Sequence, residues 1–364
     1  MSACTNQAIT TPSEDEEFLF AMEMNALIAL PLVLKATIEL GILEILAECG
    51  PMAPLSPAQI ASRLSAKNPE APVTLDRILR FLASYSILSC TLAQDTEGNP
   101  LRLYGLGPKS KHFVRAHGTA TFAAPLMLML TDNIVTSSWY CLKEEIMEGG
   151  DNFKLANGLH VFEYTDKDRK FNEIFNNAMQ APTNMYMSKI VESYQGFNNV
   201  KTVVDVGGGM GASLRILLSK YPHIHGINFD LPHVVKEAPP YPGIEHVGGD
   251  MTNYIPKADV IIIKWIIHGA DDKLCVKLLK NCWEALPEKG KVVIVDAVLP
   301  EYPETDIITR NALLADMSVL NITPSGKDRT EREFEVLARA SGFDAPKLVC
   351  RAYNMWVVEL HKRM

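Results

Sequence analysis

The sequence predicts an α/β fold preceded by a mainly α region, on three observations. The run Val203-Val204-Asp205-Val206-Gly207-Gly208-Gly209-Met210-Gly211 reads as a short strand and a tight turn, and the helical pattern Ala212-Ser213-Leu214-Arg215-Ile216-Leu217-Leu218 follows it. Downstream, apolar runs that end in acids alternate with helical patterns. Upstream, a series of helical patterns ends in a hairpin.

Residues 1–17 are polar and are expected to be loose. From Phe18 to Leu46 the pattern is helical and strongly apolar, and Pro31 interrupts it, so two helices or one kinked helix are expected. That much apolar surface near a terminus fits burial against another subunit as well as burial within the chain. Ser56 is placed to cap a helix that starts at Pro57, and Leu75–Leu82 forms another. A strand-like stretch, the turn Thr96-Glu97-Gly98-Asn99-Pro100 and the run Leu101-Arg102-Leu103-Tyr104 complete a winged-helix arrangement. The expected division is therefore 1–115 and 116–364. From Asn152 to Glu192 the chain reads as linking helices that carry His160, Phe162, Phe171, Phe175, Met179, Met185 and Met187. Aromatic and Met residues in such a pattern are most often core, and they also suit a flat apolar pocket. His160 has no assigned role.

The glycine turn is where an open α/β sheet holds a nucleotide-like cofactor. Glycines there let the backbone approach a ligand that a Cβ would push away. The third glycine of the dinucleotide fingerprint is replaced by Ala212, which is tolerated, so NAD is not excluded by spacing. The extra glycines and the acid of the first strand suit S-adenosylmethionine better, because that ligand presents an ammonium and no pyrophosphate. His225–Asp230 reads as a second strand, and its acid follows Asp205 near the ~20-residue offset of a ribose-binding carboxylate. Gly248-Gly249-Asp250-Met251 sets another acid in a turn. Asp259–Lys264 and Lys291–Asp296 read as buried strands, and Asp272–Leu286 as a helix.

The 364 residues allow two domains and a large core. A net charge of −8 argues against a nucleic-acid surface, which needs clustered Lys and Arg. No apolar run reaches the ~18 residues of a membrane span. The acidic run Glu14-Asp15-Glu16-Glu17 is unlike the basic flank of a signal peptide. The seven cysteines are scattered without CxxC spacing, so no metal site or redox pair is expected, and reduced thiols in the cytoplasm are the simplest account.

With these pieces placed, the chain resembles the plant caffeate-type S-adenosylmethionine-dependent O-methyltransferases over nearly its whole length. The likeness is carried by Asp205–Gly209, Asn228–Val234, Glu245–Met251, Lys264–His268 and Asn281–Pro287. It implies a C-terminal Rossmann-like methyltransferase domain and an N-terminal winged-helix domain that makes a homodimer. It also implies that Asp205, Gly207 and Gly209 hold the methionine portion of the cofactor and that Asp230 and Leu231 hold its ribose and adenine. Asp250, Met251 and Lys264 would complete that site. His268 would be the general base, flanked by Asp296 and Asp328, with Met129, Leu130, Phe175, Met179, Pro182, Val319 and Thr323 around a small-molecule aromatic substrate.

Several positions depart from that family. Gly269-Ala270 stands where Asp-Trp is usual, and Asp296 and Asp328 stand where the family has glutamates. Each aspartate keeps the charge but is one methylene shorter. Leu130, Thr165, Pro182 and Thr323 replace polar or histidine positions, which makes the expected pocket more apolar. Three reactions remain open: methylation of an apolar aromatic or alkaloid hydroxyl, N-methylation, and a cyclase-type reaction that retains S-adenosylmethionine.

Overall fold

The computed structural model describes residues 13–50, 52–114 and 123–362. The chain divides into two compact units, Met1–Met127 and Leu128–Met364. The expected boundary at 115/116 lies outside the described residues.

The first unit begins with a helix, Glu14–Ala26, so the stretch expected to be loose is helical from Glu14 onward. The physical reason is a capping box: the Ser13 hydroxyl accepts the Glu16 N–H while the Glu16 carboxylate accepts the Ser13 N–H. The apolar stretch divides at Leu27-Ile28 and again at Gly41, not at Pro31, giving Ala29–Glu39 and Ile42–Cys49. Pro31 lies in the first turn of its helix, where an N–H has no intrahelical acceptor to lose. Gly41 breaks the chain because it turns through φ 66°, a region open mainly to glycine.

Ser56 and Gln59 cap the helix Pro57–Arg63 as expected, and Ala71–Ser84 follows. Strands β1 (Leu88–Gln94) and β2 (Pro100–Leu106) pair antiparallel across a turn whose Glu97 and Asn99 N–H groups donate to Asp95. The wing is fastened to the helix behind it by Asp76, which accepts from Arg102 at 2.6 Å and from the buried Tyr104 hydroxyl at 2.7 Å.

The second unit holds the sheet. Its strands are β3 (Thr202–Val206), β4 (His225–Asp230), β5 (Ile244–Gly248), β6 (Val260–Lys264), β7 (Lys291–Leu299), β8 (Arg329–Thr330), β9 (Lys347–Ala352) and β10 (Met355–His361). The spatial order is β5-β4-β3-β6-β7-β10-β9, with β8 beside the end of β7. Strands β3 to β8 pair parallel, and β10 runs antiparallel between β7 and β9. The chain leaves β3 toward one edge and returns to its other side at β6, which makes the carboxyl ends of β3 and β6 the switch point where such sheets bind ligands. Alternate residues serve opposite layers: Val204, Ile261, Ile263 and Ile294 enter one core, and Val203, Ile262 and Val293 the other. Burial on both faces explains why these strands are continuous apolar runs. Among the described residues no single helix is long and apolar enough to cross a membrane.

Candidate active site

Strand β3 ends in the glycine loop, and the helix Ala212–Lys220 starts from Gly211. Gly207, Gly209 and Gly211 all have positive φ, at 67°, 56° and 81°. Gly208 is needed for space instead: a Cβ there would lie 2.1 Å from Asn228 Oδ1 and 2.7 Å from Asp205 Oδ2. The loop is held to the end of β4. The Gly209 N–H donates to Asp230 Oδ2 at 2.8 Å, and Asn228 Nδ2 donates to the Gly209 carbonyl at 2.8 Å. Asp230 Oδ1 takes the Leu231 N–H at 2.7 Å. Asp250 caps its own turn by accepting from the Thr252 N–H, and Asn281 Nδ2 pins the Met251 carbonyl.

Asp205 is buried, and its Oδ2 has no hydrogen-bond partner within the protein, nor has Asn228 Oδ1. Burial pushes the Asp205 carboxyl up to about 6, while the Lys264 charge and the Ser213 hydroxyl pull it back. Lys264, at the end of β6, is lowered to about 8 by burial against the opposing pull of Asp205 and Asp296. Its Nζ lies 3.9 Å from the centroid of the Trp265 ring. Trp265 has φ 57°, which turns the chain sharply out of the sheet.

That turn leads to His268 on a short 3₁₀ segment, Ile267–Gly269. His268 Nδ1 lies 3.4 Å from Asp296 Oδ1 and 3.5 Å from Asp328 Oδ1. Both aspartates are buried, and none of their four carboxylate oxygens has a close hydrogen bond. Asp296 is on β7, and Asp328 reaches it because the residue after it, Arg329, pairs with Val298. The Lys327 N–H donates to the His268 carbonyl at 2.8 Å, which fixes the same segment to the turn. Burial works to lower the His268 pKa, but the charges of Asp296 and Asp328 outweigh it and hold it above 6.5. Asp296 is raised from the ordinary carboxylate value by burial first and by Asp328 after that, with His268 opposing. The three groups offer one donor atom each within 4.8 Å of one another, a spacing that would also suit a cation.

The sequence-derived site residues thus fall into two clusters at one end of the sheet. Asp205, Gly207, Gly209, Asp230, Leu231, Asp250, Met251 and Lys264 follow the ends of β3 to β6, and His268, Asp296 and Asp328 converge beside them. Val319 and Thr323 sit against the histidine turn: a Cβ on Gly326 would lie 2.9 Å from both the His268 carbonyl and Val319 Cγ1, and 2.3 Å from Thr323 Oγ1. Met129 is buried on the helix Ala123–Leu130, with Leu130 half-buried beside it. Phe175, Met179 and Pro182 lie on the helix Arg169–Ser193, where Phe175 packs on Phe162 and Phe171. The hydroxyls of Thr323 and Thr165 donate to carbonyls of their own helices, Val319 and Phe162. His160 pairs with the buried Asp151 at 2.5 Å and heads the helix Val161–Lys167, which gives it a structural role.

The family model of the O-methyltransferase domain matches residues 139–344, and that of the O-methyltransferase dimerisation domain matches 22–116. The chain belongs to the O-methyltransferase family. The caffeic acid 3-O-methyltransferase of Capsicum annuum is 49% identical over 358 residues, covering 98% of this chain and 99% of that protein. Caffeic acid 3-O-methyltransferase 2 of Ocimum basilicum is 50% identical over 362 residues, covering all of both. Human N-acetylserotonin methyltransferase, solved in complex with SAM, matches at a TM-score of 0.81 and 18% identity, covering 98% of this chain and 99% of that one; at that distance it shows the fold.

Two residues of this O-methyltransferase site escaped reading by type and spacing. Asn228 opens the stretch Asn228–Val234, and its bridge to Gly209 appears only once β3 and β4 pair. Arg329 follows Asp328 in the chain, and nothing in its type or spacing marks it, because its burial is set by the tertiary fold.

Proposed function

We propose that this chain methylates a hydroxyl of a small, relatively apolar aromatic or alkaloid acceptor, using S-adenosylmethionine and His268 as general base, and that it works as a homodimer. The observation that carries the reading is the His268 imidazole, set between two buried aspartates immediately beyond the strand end that bears Lys264. The glycine loop fits the cofactor: Gly208 makes space for the Asp205 and Asn228 side chains beneath the loop, a Cβ at Gly209 would meet nothing within 4 Å, and the unpartnered Asp205 Oδ2 and Asn228 Oδ1 are acceptors for an ammonium. Asp205, Gly207 and Gly209 would hold its amino-acid end, and Asp230, Leu231, Asp250, Met251 and Lys264 the adenosyl end. When bound, the cofactor supplies an electrophilic methyl group on a sulfonium.

Transfer of that methyl to the acceptor oxygen would leave the S–C electron pair on sulfur, so what is asked of this chain is to hold the hydroxyl and take its proton. A phenol has a pKa near 10. With Nδ1 facing the aspartates, His268 Nε2 is the nitrogen left to take the hydroxyl proton as attack proceeds. Asp296 and Asp328 stabilise the imidazolium that results. The apolar character of the acceptor is supported by Leu130 and Pro182 and by the Thr165 and Thr323 hydroxyls, whose donors are already spent on their own helices.

The cyclase-type reading is favoured by one observation, the 3.4 and 3.5 Å separations, which exceed the ~2.7–2.9 Å of a strong charge-assisted hydrogen bond. Incubation with S-adenosylmethionine and a panel of phenols, aromatic amines and prenylated alkaloids separates the readings by product mass. A phenol gaining one methyl supports the proposal. A methylated amine alone, or an isomer of the substrate, overturns it.

A further inference from the structure

We propose that Arg329 is a positioning residue for His268: its buried guanidinium clamps both ends of the turn that carries the imidazole and ties that turn to the segment that carries Asp328. The inference rests on the reading of His268 as the base.

Arg329 is 1% exposed and is among the largest fully buried side chains of the described residues. Its donors are spent in three directions. Nη1 donates to the Ile267 carbonyl at 2.6 Å and to its own segment at the Lys327 carbonyl, 3.3 Å. Nη2 donates to the Ala270 carbonyl at 2.8 Å and to Asp272 Oδ1 at 2.8 Å, and Nε also reaches Asp272 Oδ1 at 3.1 Å. Ile267 and Ala270 bracket His268, so one rigid planar group spans the whole turn.

The clamp adds short bonds where others are long: the Cys275 thiol reaches the same Ile267 and Ala270 carbonyls only at 3.4 and 3.6 Å. Ala270 closes on Ile267 by a long 3.4 Å backbone bond, and a Cβ at Gly269 would touch nothing within 4 Å. The turn therefore has no packed side chain of its own at Gly269. Because residues 328 and 329 are adjacent, the same guanidinium sets the height of Asp328 against His268. A lysine has its donors at a single point and cannot bridge both carbonyls and Asp272 together.

The test is Arg329→Lys in the full chain. Loosening the clamp lets His268 leave the two aspartates, so its pKa should fall toward the ordinary value. This is read by NMR titration of the histidine resonance that His268→Gln removes, a measurement that needs no acceptor. With an accepted substrate, kcat should fall by about 10- to 100-fold, the range for a misplacement of the order of an ångström. KM for S-adenosylmethionine should stay unchanged, because Arg329 makes no bond to the glycine loop. Arg102→Lys, which weakens an arginine–carboxylate pair in the first unit, should lower thermal stability without moving the His268 titration. If Arg329→Lys loses stability alone, with the titration and kcat unmoved, the proposal falls. Should Arg329→Lys fail to fold, Asp272→Asn removes the carboxylate partner of the guanidinium. A shift of the same sign then supports the proposal, and an unmoved titration overturns it. A shifted titration in a protein that transfers no methyl group supports the positioning role while the base reading fails.

Discussion

The glycine loop and the histidine triad lie at one end of the same sheet and are built in opposite ways. The loop is held by short bonds within the stretch 209–231, between neighbouring parallel strands: Gly209 to Asp230, Asn228 to Gly209, and Leu231 to Asp230. The triad brings together His268, Asp296 and Asp328 from three segments, and its carboxylates are buried without close partners. A site that must bind a ligand tightly is rigid and satisfied around a few open acceptors. The triad proposed to move a proton keeps ionisable groups short of full pairing, at a cost in stability.

The sharpest way to break this contrast is His268→Ala. O-methylation should fall by about 10²–10⁴-fold, the usual contribution of a general base, while calorimetric binding of S-adenosylmethionine stays as in the parent. Persistent O-methylation would show that the triad is not the proton acceptor. Gly208→Ala tests the other half. Its Cβ would collide with Asn228 and Asp205, and overpacking costs about 1–3 kcal/mol, so cofactor binding should weaken by about 10- to 100-fold. Unchanged binding would mean that the loop opens to accept side chains.

Asp296→Asn should separate function from stability. Removing this charge lowers the His268 pKa, because Asp296 is the leading group that raises it. The parent rate should fall as pH drops through that raised pKa, above 6.5, and the acidic limb of the variant should lie at lower pH, with kcat reduced by less than in His268→Ala. Stability should move the other way. A carboxyl whose folded pKa lies above its ordinary 3.8 loses stability as pH rises past that value. An uncharged amide escapes this, so the free energy of unfolding at neutral pH should rise by about 1 kcal/mol, read as a higher thermal midpoint. A less stable variant would show that the Asp296 charge is satisfied after all. The smallest expected effect is that of a chelator: the triad acting as base and acids should lose no activity in EDTA, and a loss would assign its donor atoms to a cation.

The loop was legible because its signals are local. Glycines at positive φ, an acid at a strand end and a second acid at the ribose offset are all encoded within Asp205–Asp230. The strands were legible because burial on both faces forces apolar runs. Less legible were the helix ends: Pro31 suggested a break, whereas Gly41 made one, since proline in a first turn gives up nothing. Arg329 was invisible because its partners are the backbone carbonyls of Ile267 and Ala270, and carbonyls carry no sequence signature.

By itself, then, the sequence determined the α/β class, the winged-helix region and the glycine turn after β3, since propensity, glycine geometry and strand periodicity act over a few residues. The tertiary structure decided the distance of His268 from its two aspartates, the burial that raises Asp296, and the clamp formed by Arg329. Those depend on how β7 and β8 register and on what water is excluded, and neither is a property of any local stretch of chain.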